Sequence, residues 1–335
     1  MNREVLHEHA EQIVSKVILA ADESSGTIKK RLATVGIEST PEINRQYRLL
    51  LFETPRIEEF VSGVILFDET FRQADDRQVA IPDLLAQKGI VPGIKVDRGT
   101  ALMPGSSKDT FTQGLDDLGK RLREYADLGA LFSKWRAVFT IDSDSPKPVT
   151  IDRNAHDLAL YAALCQDVGL VPIVEPEILM AGHHTMGDCE RVTANVLGAT
   201  FRKLEDYGIS FPGMILKPNM ITPDADHLDE VDPKTVAKVT LQVLRDTVNY
   251  SVPGIPFLSG GLSPDMATTD LYEINVWRNA NPIQYPWSRL TASFGRALQG
   301  EALEAWRGGV EKKPEAQAAF IDRAEKVYKA SFGQL

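Results

Sequence analysis

The stretch Val171-Pro-Ile-Val-Glu175-Pro-Glu177 is a short apolar run that ends in carboxylates, and the same pattern recurs along the whole chain. Apolar runs bounded by Gly or Pro read as strands at Val17–Ala21, Gly63–Asp68, Pro92–Val96, Ala130–Arg136, Val171–Glu175, Gly213–Lys217, Ile255–Ser259 and Leu290–Phe294. Amphipathic stretches long enough for helices separate them. Between the sixth and seventh runs Val236, Val239, Val243 and Leu244 share one face, and before the sixth run Val192, Val196, Ala199 and Leu204 do the same. Eight mostly apolar strands alternating with helices predict a parallel (β/α)8 TIM barrel. A doubly wound open sheet would place a dinucleotide fingerprint after the first strand, and Asp22-Glu-Ser-Ser-Gly-Thr27 lacks it. With no linker in view, residues 1–335 read as a single α/β domain, with an N-terminal extension and a C-terminal helical tail from about Glu301.

Composition fits that reading. Hydrophobic residues make up 43% and charged residues 25% of the 335 positions, enough for a large core. No apolar run reaches the roughly 18 residues of a membrane helix, and the polar N-terminus is unlike a signal peptide. The expectation is a cytoplasmic chain in which Cys165 and Cys189 are buried thiols and the Asn249-Tyr250-Ser251 sequon is silent. A net charge of −10 argues against nucleic-acid or anionic-membrane partners, so an anionic ligand must meet a local basic pocket.

The active site of such a barrel lies at the C-terminal strand ends, and the residues closing the runs are ionic. They are Asp22, Lys95 with Asp97, Lys134 with Arg136, Glu175 with Glu177, Lys217, and Arg296 after Gly295. Side chains two apart on a strand share a face, so Lys134 pairs with Arg136, and Glu175 with Glu177 if the strand persists through Pro176. Taken singly, each could belong to an ion-pair network. Concentrated at one barrel end, where buried charge is costly, the set points to an anionic substrate and acid–base work. Lys217 follows Gly213-Met-Ile-Leu216 on an apolar stem, and partial desolvation beside Lys134 and Arg136 would favour the neutral amine that attacks a carbonyl. Ser259-Gly260-Gly261 and Gly295-Arg296 read as phosphate sites, placed where the loops after the seventh and eighth barrel strands often hold one. Ser24, Ser25 and Thr27 either serve a second phosphate with Lys95 or cap the following helix.

Two tempting motifs fail. Gly114-Leu-Asp-Asp-Leu-Gly119-Lys120 has P-loop spacing, but Arg121 replaces the Ser or Thr that magnesium needs and no strand precedes it. His183, His184, Asp188 and Cys189 fit no familiar zinc spacing and read as a solvated loop; no metal site is expected. Trp306 and Phe320 read as helix packing.

The chain resembles the class I fructose-bisphosphate aldolases from about Val17 to Trp306. The matching words are ILAADES (18–24), GVILFDET (63–70), GIKVDRG (93–99), FSKWR (132–136), VPIVEPEIL (171–179), LKPNM (216–220), FLSGG (257–261) and SFGRAL (293–298). The resemblance implies a cofactor-free lyase in which Lys217 forms an imine with the C2 carbonyl of a ketose bisphosphate and Glu175 shuttles protons. It implies that Asp22 and Lys134 assist, that Glu177 and Arg136 shape the pocket, that Ser259, Gly260 and Arg296 hold the C1 phosphate, and that Ser24, Thr27 and Lys95 lie toward C6. It also implies small sugar phosphates as partners and a homo-oligomer, usually a tetramer. Alternatives are a Schiff-base aldolase preferring sedoheptulose bisphosphate or a ketose monophosphate, and an idle scaffold of the same fold. This sequence departs from the family pattern in two places. Phe294 stands where many relatives carry tyrosine, and the last residues, Ser331-Phe-Gly-Gln-Leu335, hold no terminal tyrosine, so protonation of the enamine is expected from pocket residues, with Asp22, Lys134 and Glu175 the candidates, or from water. Residues 263–289 match poorly.

Overall fold

The computed structural model describes residues 3–335. Eight strands form one parallel sheet: β1 (Val17–Ala21), β2 (Val61–Leu66), β3 (Val91–Lys95), β4 (Phe132–Phe139), β5 (Val171–Ile178), β6 (Ile215–Leu216), β7 (Gly254–Phe257) and β8 (Arg289–Phe294). Their spatial order is β6-β5-β4-β3-β2-β1-β8-β7. Between the two ends of that series the Leu258 N–H donates to the Pro218 carbonyl at 3.0 Å and Asn219 bridges Leu258 in parallel. The sheet therefore curls into a nearly closed TIM barrel with helices outside it, as the strand–helix alternation predicts.

Boundaries shift where the sequence pattern is weakest. The second strand starts at Val61 and stops at Leu66, so that Asp68 opens a short helix, Asp68–Phe71. The fifth persists through Pro176, which pairs with Ala137. Its missing N–H lies on the β6 side, the side of the Val174 carbonyl and the Ile178 N–H, and the β6 pairing ends at Leu216, so proline is tolerated there. Glu301 lies inside the helix Arg296–Trp306 that follows β8, so the C-terminal addition begins after Trp306, with the helix Lys313–Ala330, rather than at Glu301. Trp306 stacks on Tyr47 at 5.5 Å and Phe320 is fully buried. The poorly matching region holds a 17-residue helix, Pro264–Ala280. Its buried face includes Thr268, Asp270 and Asn275 beside Leu271 and Ile274, which hides the apolar stripe. A two-stranded antiparallel hairpin, Thr100–Leu102 with Thr110–Thr112, follows β3 and was not foreseen.

The inward-facing rows of the barrel are apolar below and ionic above. On β4 the row runs Phe132, Lys134, Arg136; on β5 it runs Val171, Ile173, Glu175, Glu177; on β6 Ile215 leads to Lys217. Ile18, Ala20, Ile65 and Val91 complete the apolar layer, and the N-terminal helix Arg3–Val14 plugs it from beneath with Leu6, Ala10, Ile13 and Val14. Outward residues such as Trp135, Val174 and Leu216 pack against the helices in a separate cluster. Phe132 fills the barrel axis only because β3 carries glycine opposite it: a Cβ on Gly93 would lie 2.2 Å from the Phe132 ring. Gly93→Ala is expected to destabilise the fold by about 2 kcal/mol or more through overpacking, with partial recovery in a Gly93→Ala, Phe132→Leu double variant. Denaturant melts of the three proteins check this, and unchanged stability in the single variant would show that the plug is loose.

Candidate active site

A cavity of about 980 Å³ opens at the C-terminal ends of the strands, and every site residue expected from the sequence lines it. The lining holds nine Lys and Arg against seven Asp and Glu. In a chain of net charge −10 this is a local excess of positive charge suited to an anionic ligand.

At its floor the ion pairs form one chain of contacts. Lys134 Nζ lies 2.8 Å from Asp22 Oδ2 and 3.0 Å from Glu175 Oε2, and the other Glu175 oxygen lies 2.9 Å from Lys217 Nζ. Lys134, Glu175 and Lys217 are each only 3% exposed. Lys217 follows the last β6 residue, and its backbone N–H donates to the Val174 carbonyl at 2.9 Å, which fixes the stem beside Glu175. Burial alone would raise the Asp22 and Glu175 carboxyls, but Lys134 and Lys217 override it and hold both below their ordinary values of 3.8 and 4.5. Burial would likewise lower Lys134, yet Asp22 and Glu175 push it above its ordinary 10.5. The carboxylates contribute stability that is present above their ordinary values and is lost as pH falls through the lowered ones; Lys134 contributes stability that is lost only as pH rises through its raised value. Asp22, Glu175 and Lys134 are therefore ionised at neutral pH.

Around this floor Arg136 pairs with Glu177 at 2.5 Å, and Lys95 pairs with Asp97. Two helix N-termini face the cavity. One belongs to Arg296–Trp306, with Gly295 at its N-cap; the Arg296 guanidinium donates to the Gly261 carbonyl at 2.8 Å, joining it to the turn after β7. In that turn Gly260 and Gly261 have φ of +57° and +114°, a backbone region in which other residues are strained, so both N–H groups can face a common anion. The other helix is Ser25–Ala33. Ser24 at its N-cap makes no side-chain capping bond; its hydroxyl lies 3.1 Å from that of Thr27 at the cavity wall. Helix capping by the Ser24 side chain is thereby ruled out.

The family model for class I fructose-bisphosphate aldolase matches residues 5–335. The chain belongs to the class I fructose-bisphosphate aldolases. It is 45% identical to fructose-bisphosphate aldolase B of Bos taurus over 335 residues, 99% of this chain and 91% of that one. It is 45% identical to the cytosolic fructose-bisphosphate aldolase 4 of Arabidopsis thaliana over 318 residues, 95% of this chain and 80% of that one. A solved structure of fructose-bisphosphate aldolase from Plasmodium falciparum, in complex with TRAP and a small-molecule inhibitor, superposes with a TM-score of 0.95 at 42% identity, over 99% of this chain and 95% of that one. This chain is thus a lyase of the class I aldolase type. The readings as an aldolase of other preference or as an idle scaffold are not favoured.

Part of the aldolase pocket was not legible. Glu23, Arg31 and Arg48 form a buried ion cluster beside it, with Arg48 only 1% exposed and Gln299 donating to Glu23 at 3.1 Å. Glu23 lies within a matched word, but Arg48 sits in the amphipathic helix Pro41–Phe52 among other polar residues, where nothing in the sequence singles out an inward guanidinium. Asn219 was also missed; its Oδ1 accepts from the Ile178 N–H at 3.0 Å and ties the end of β5 to the end of β6. The expected solvated loop at 183–189 needs correction: His184 and Cys189 are buried, and Asp188 with Thr185 forms the capping box of the helix Met186–Asp206. Among the described residues no group of three or more His, Cys, Asp or Glu is arranged to hold a metal ion, and no helix is long and apolar enough to cross a membrane. Cys165 and Cys189 are buried and unpaired.

Proposed function

We propose that this chain cleaves fructose 1,6-bisphosphate reversibly to dihydroxyacetone phosphate and glyceraldehyde 3-phosphate through an imine on Lys217. The observation that carries the reading is the Lys217–Glu175–Lys134–Asp22 contact chain at the floor of a cationic cavity. Lys217 hands a proton to Glu175, 2.9 Å away, and the neutral amine attacks the C2 carbonyl. Glu175 returns a proton as the carbinolamine loses water, and then takes the proton of the C4 hydroxyl as the C3–C4 bond breaks and C4 becomes the aldehyde carbon. C3–C4 cleavage leaves an electron pair that the protonated imine takes up as an enamine, the part a metal plays in metal-dependent aldolases, so no cofactor is required. Lys134, held by two carboxylates, keeps both ionised and oriented, and Asp22 assists proton transfer from its other side. Glu177 and Arg136 shape the wall. Ser259, Gly260, Gly261, Gly295 and Arg296 hold the C1 phosphate, where a helix N-terminus and a glycine turn converge; Ser24, Thr27 and Lys95 receive the C6 phosphate. The chain acts as one domain, in the cytoplasm, as a homo-oligomer.

A cleavage assay in EDTA tests this. Turnover of fructose 1,6-bisphosphate should persist in excess chelator and exceed that of sedoheptulose bisphosphate and ketose monophosphates. Loss of activity that zinc restores would overturn the metal-free mechanism.

A further inference from the structure

Behind the Ser259–Gly260 turn lies a second cavity, of about 10 Å³, which the reading above does not use. That is the size of a single water site. Leu179, Leu258, Ser259 and Gly260 line both cavities, so the turn is a partition with the phosphate pocket on one side and this small chamber on the other. Its lining is mixed. His184, Cys189, Asn219 and Thr222 line it among apolar neighbours.

His184 is 5% exposed, and its Nε2 is buried without a partner among the described residues. Its backbone N–H donates to Asp224 Oδ2 at 2.9 Å, and its Nδ1 lies 3.3 Å from the Thr185 carbonyl. A carbonyl only accepts, so the neutral ring carries its proton on Nδ1 and offers a lone pair at Nε2. A buried acceptor left unpaired costs roughly 1–3 kcal/mol, and a water in the chamber relieves that cost. Thr222 and Ser259 line the same chamber, so polar residues that could supply a water's further partners stand beside His184.

We propose that His184 is a positioning residue: through one buried water it braces the Ser259–Gly260 turn from behind and thereby sets the affinity for phosphate without touching substrate. The proposal rests on the reading of that turn as a phosphate subsite. The water donates one hydrogen to Nε2, and its remaining bonds reach the turn, so loss of the acceptor loosens the partition rather than the lysine cluster.

The test compares His184→Leu, His184→Gln and Thr222→Val with the parent. Measured are the inhibition constant of inorganic phosphate, KM and kcat for fructose 1,6-bisphosphate, and borohydride trapping with unphosphorylated dihydroxyacetone. In His184→Leu the phosphate inhibition constant and KM should rise about tenfold, the worth of one hydrogen bond, while kcat and trapping stay within about twofold. His184→Gln, which keeps an acceptor, should recover most of the loss, and Thr222→Val should reproduce part of it. Unchanged phosphate inhibition in soluble His184→Leu or Thr222→Val overturns the proposal, as does an equal fall in trapping, which would make His184 a general structural residue. If His184→Leu fails to fold, Thr222→Val and His184→Gln decide. The subsite reading fails separately: inorganic phosphate that does not compete with substrate in the parent protein would remove it.

Discussion

Replacing Lys217 by Met is expected to lower cleavage of fructose 1,6-bisphosphate by at least roughly 10⁴-fold, because the covalent step loses its nucleophile. The fold should survive. Glu175 keeps Lys134 at 3.0 Å, so the variant leaves no carboxylate unpaired, and the Met side chain follows the same apolar stem between Leu216 and Pro218. The parent protein, treated with borohydride in the presence of dihydroxyacetone phosphate, should be inactivated with the label on the peptide that contains Lys217. The variant should take up none. Lys134 is the obvious rival, being equally buried and nearby, but it is held by two carboxylates and kept firmly protonated, whereas Lys217 touches one, the group that accepts its proton. Peptide mass mapping that placed the label on Lys134, or substantial residual turnover in Lys217→Met, would end the Schiff-base assignment.

Glu175→Gln should cut turnover by roughly 100-fold or more, the usual scale for loss of a positioned acid–base group, with the melting temperature and the binding of dihydroxyacetone phosphate little changed. The side chain is nearly isosteric, and Lys134 retains Asp22 at 2.8 Å. Lys217 loses its proton acceptor, so imine trapping should slow along with cleavage. The contrasting variant is Lys134→Met, which strands Asp22 and Glu175 together without the cation between them; breaking a buried pair in this way costs about 3–5 kcal/mol, so its loss of activity would be mixed with loss of fold. Stopped-flow cleavage and trapping rates for Glu175→Gln give the clean measurement. Near-normal rates would remove Glu175 from the proton path and leave Asp22 as the remaining acid–base group on the cluster.

The sequence by itself determined the barrel and the floor of its site. Strands must bury one row inward, and the rows of β4, β5 and β6 start with apolar residues and close on charge, so Lys134, Glu175 and Lys217 could be assigned to one rim. The glycine turn after β7 and Gly295 before the last barrel helix were legible for the same reason, since their place in the order of strands fixes which end of the barrel they occupy. The tertiary structure alone decided which ions pair. Asp22, Lys134, Glu175 and Lys217 lie far apart in the chain, and contact between them depends on barrel closure and strand register, which no local pattern encodes. It also decided what is buried against expectation. Arg48 turns inward from an amphipathic helix to meet Glu23, and His184 is enclosed behind the Ser259–Gly260 turn, where Asp224, 40 positions away, accepts from its backbone N–H. Local composition reports how polar a residue is, but burial of a polar group is settled by partners that arrive from elsewhere in the fold.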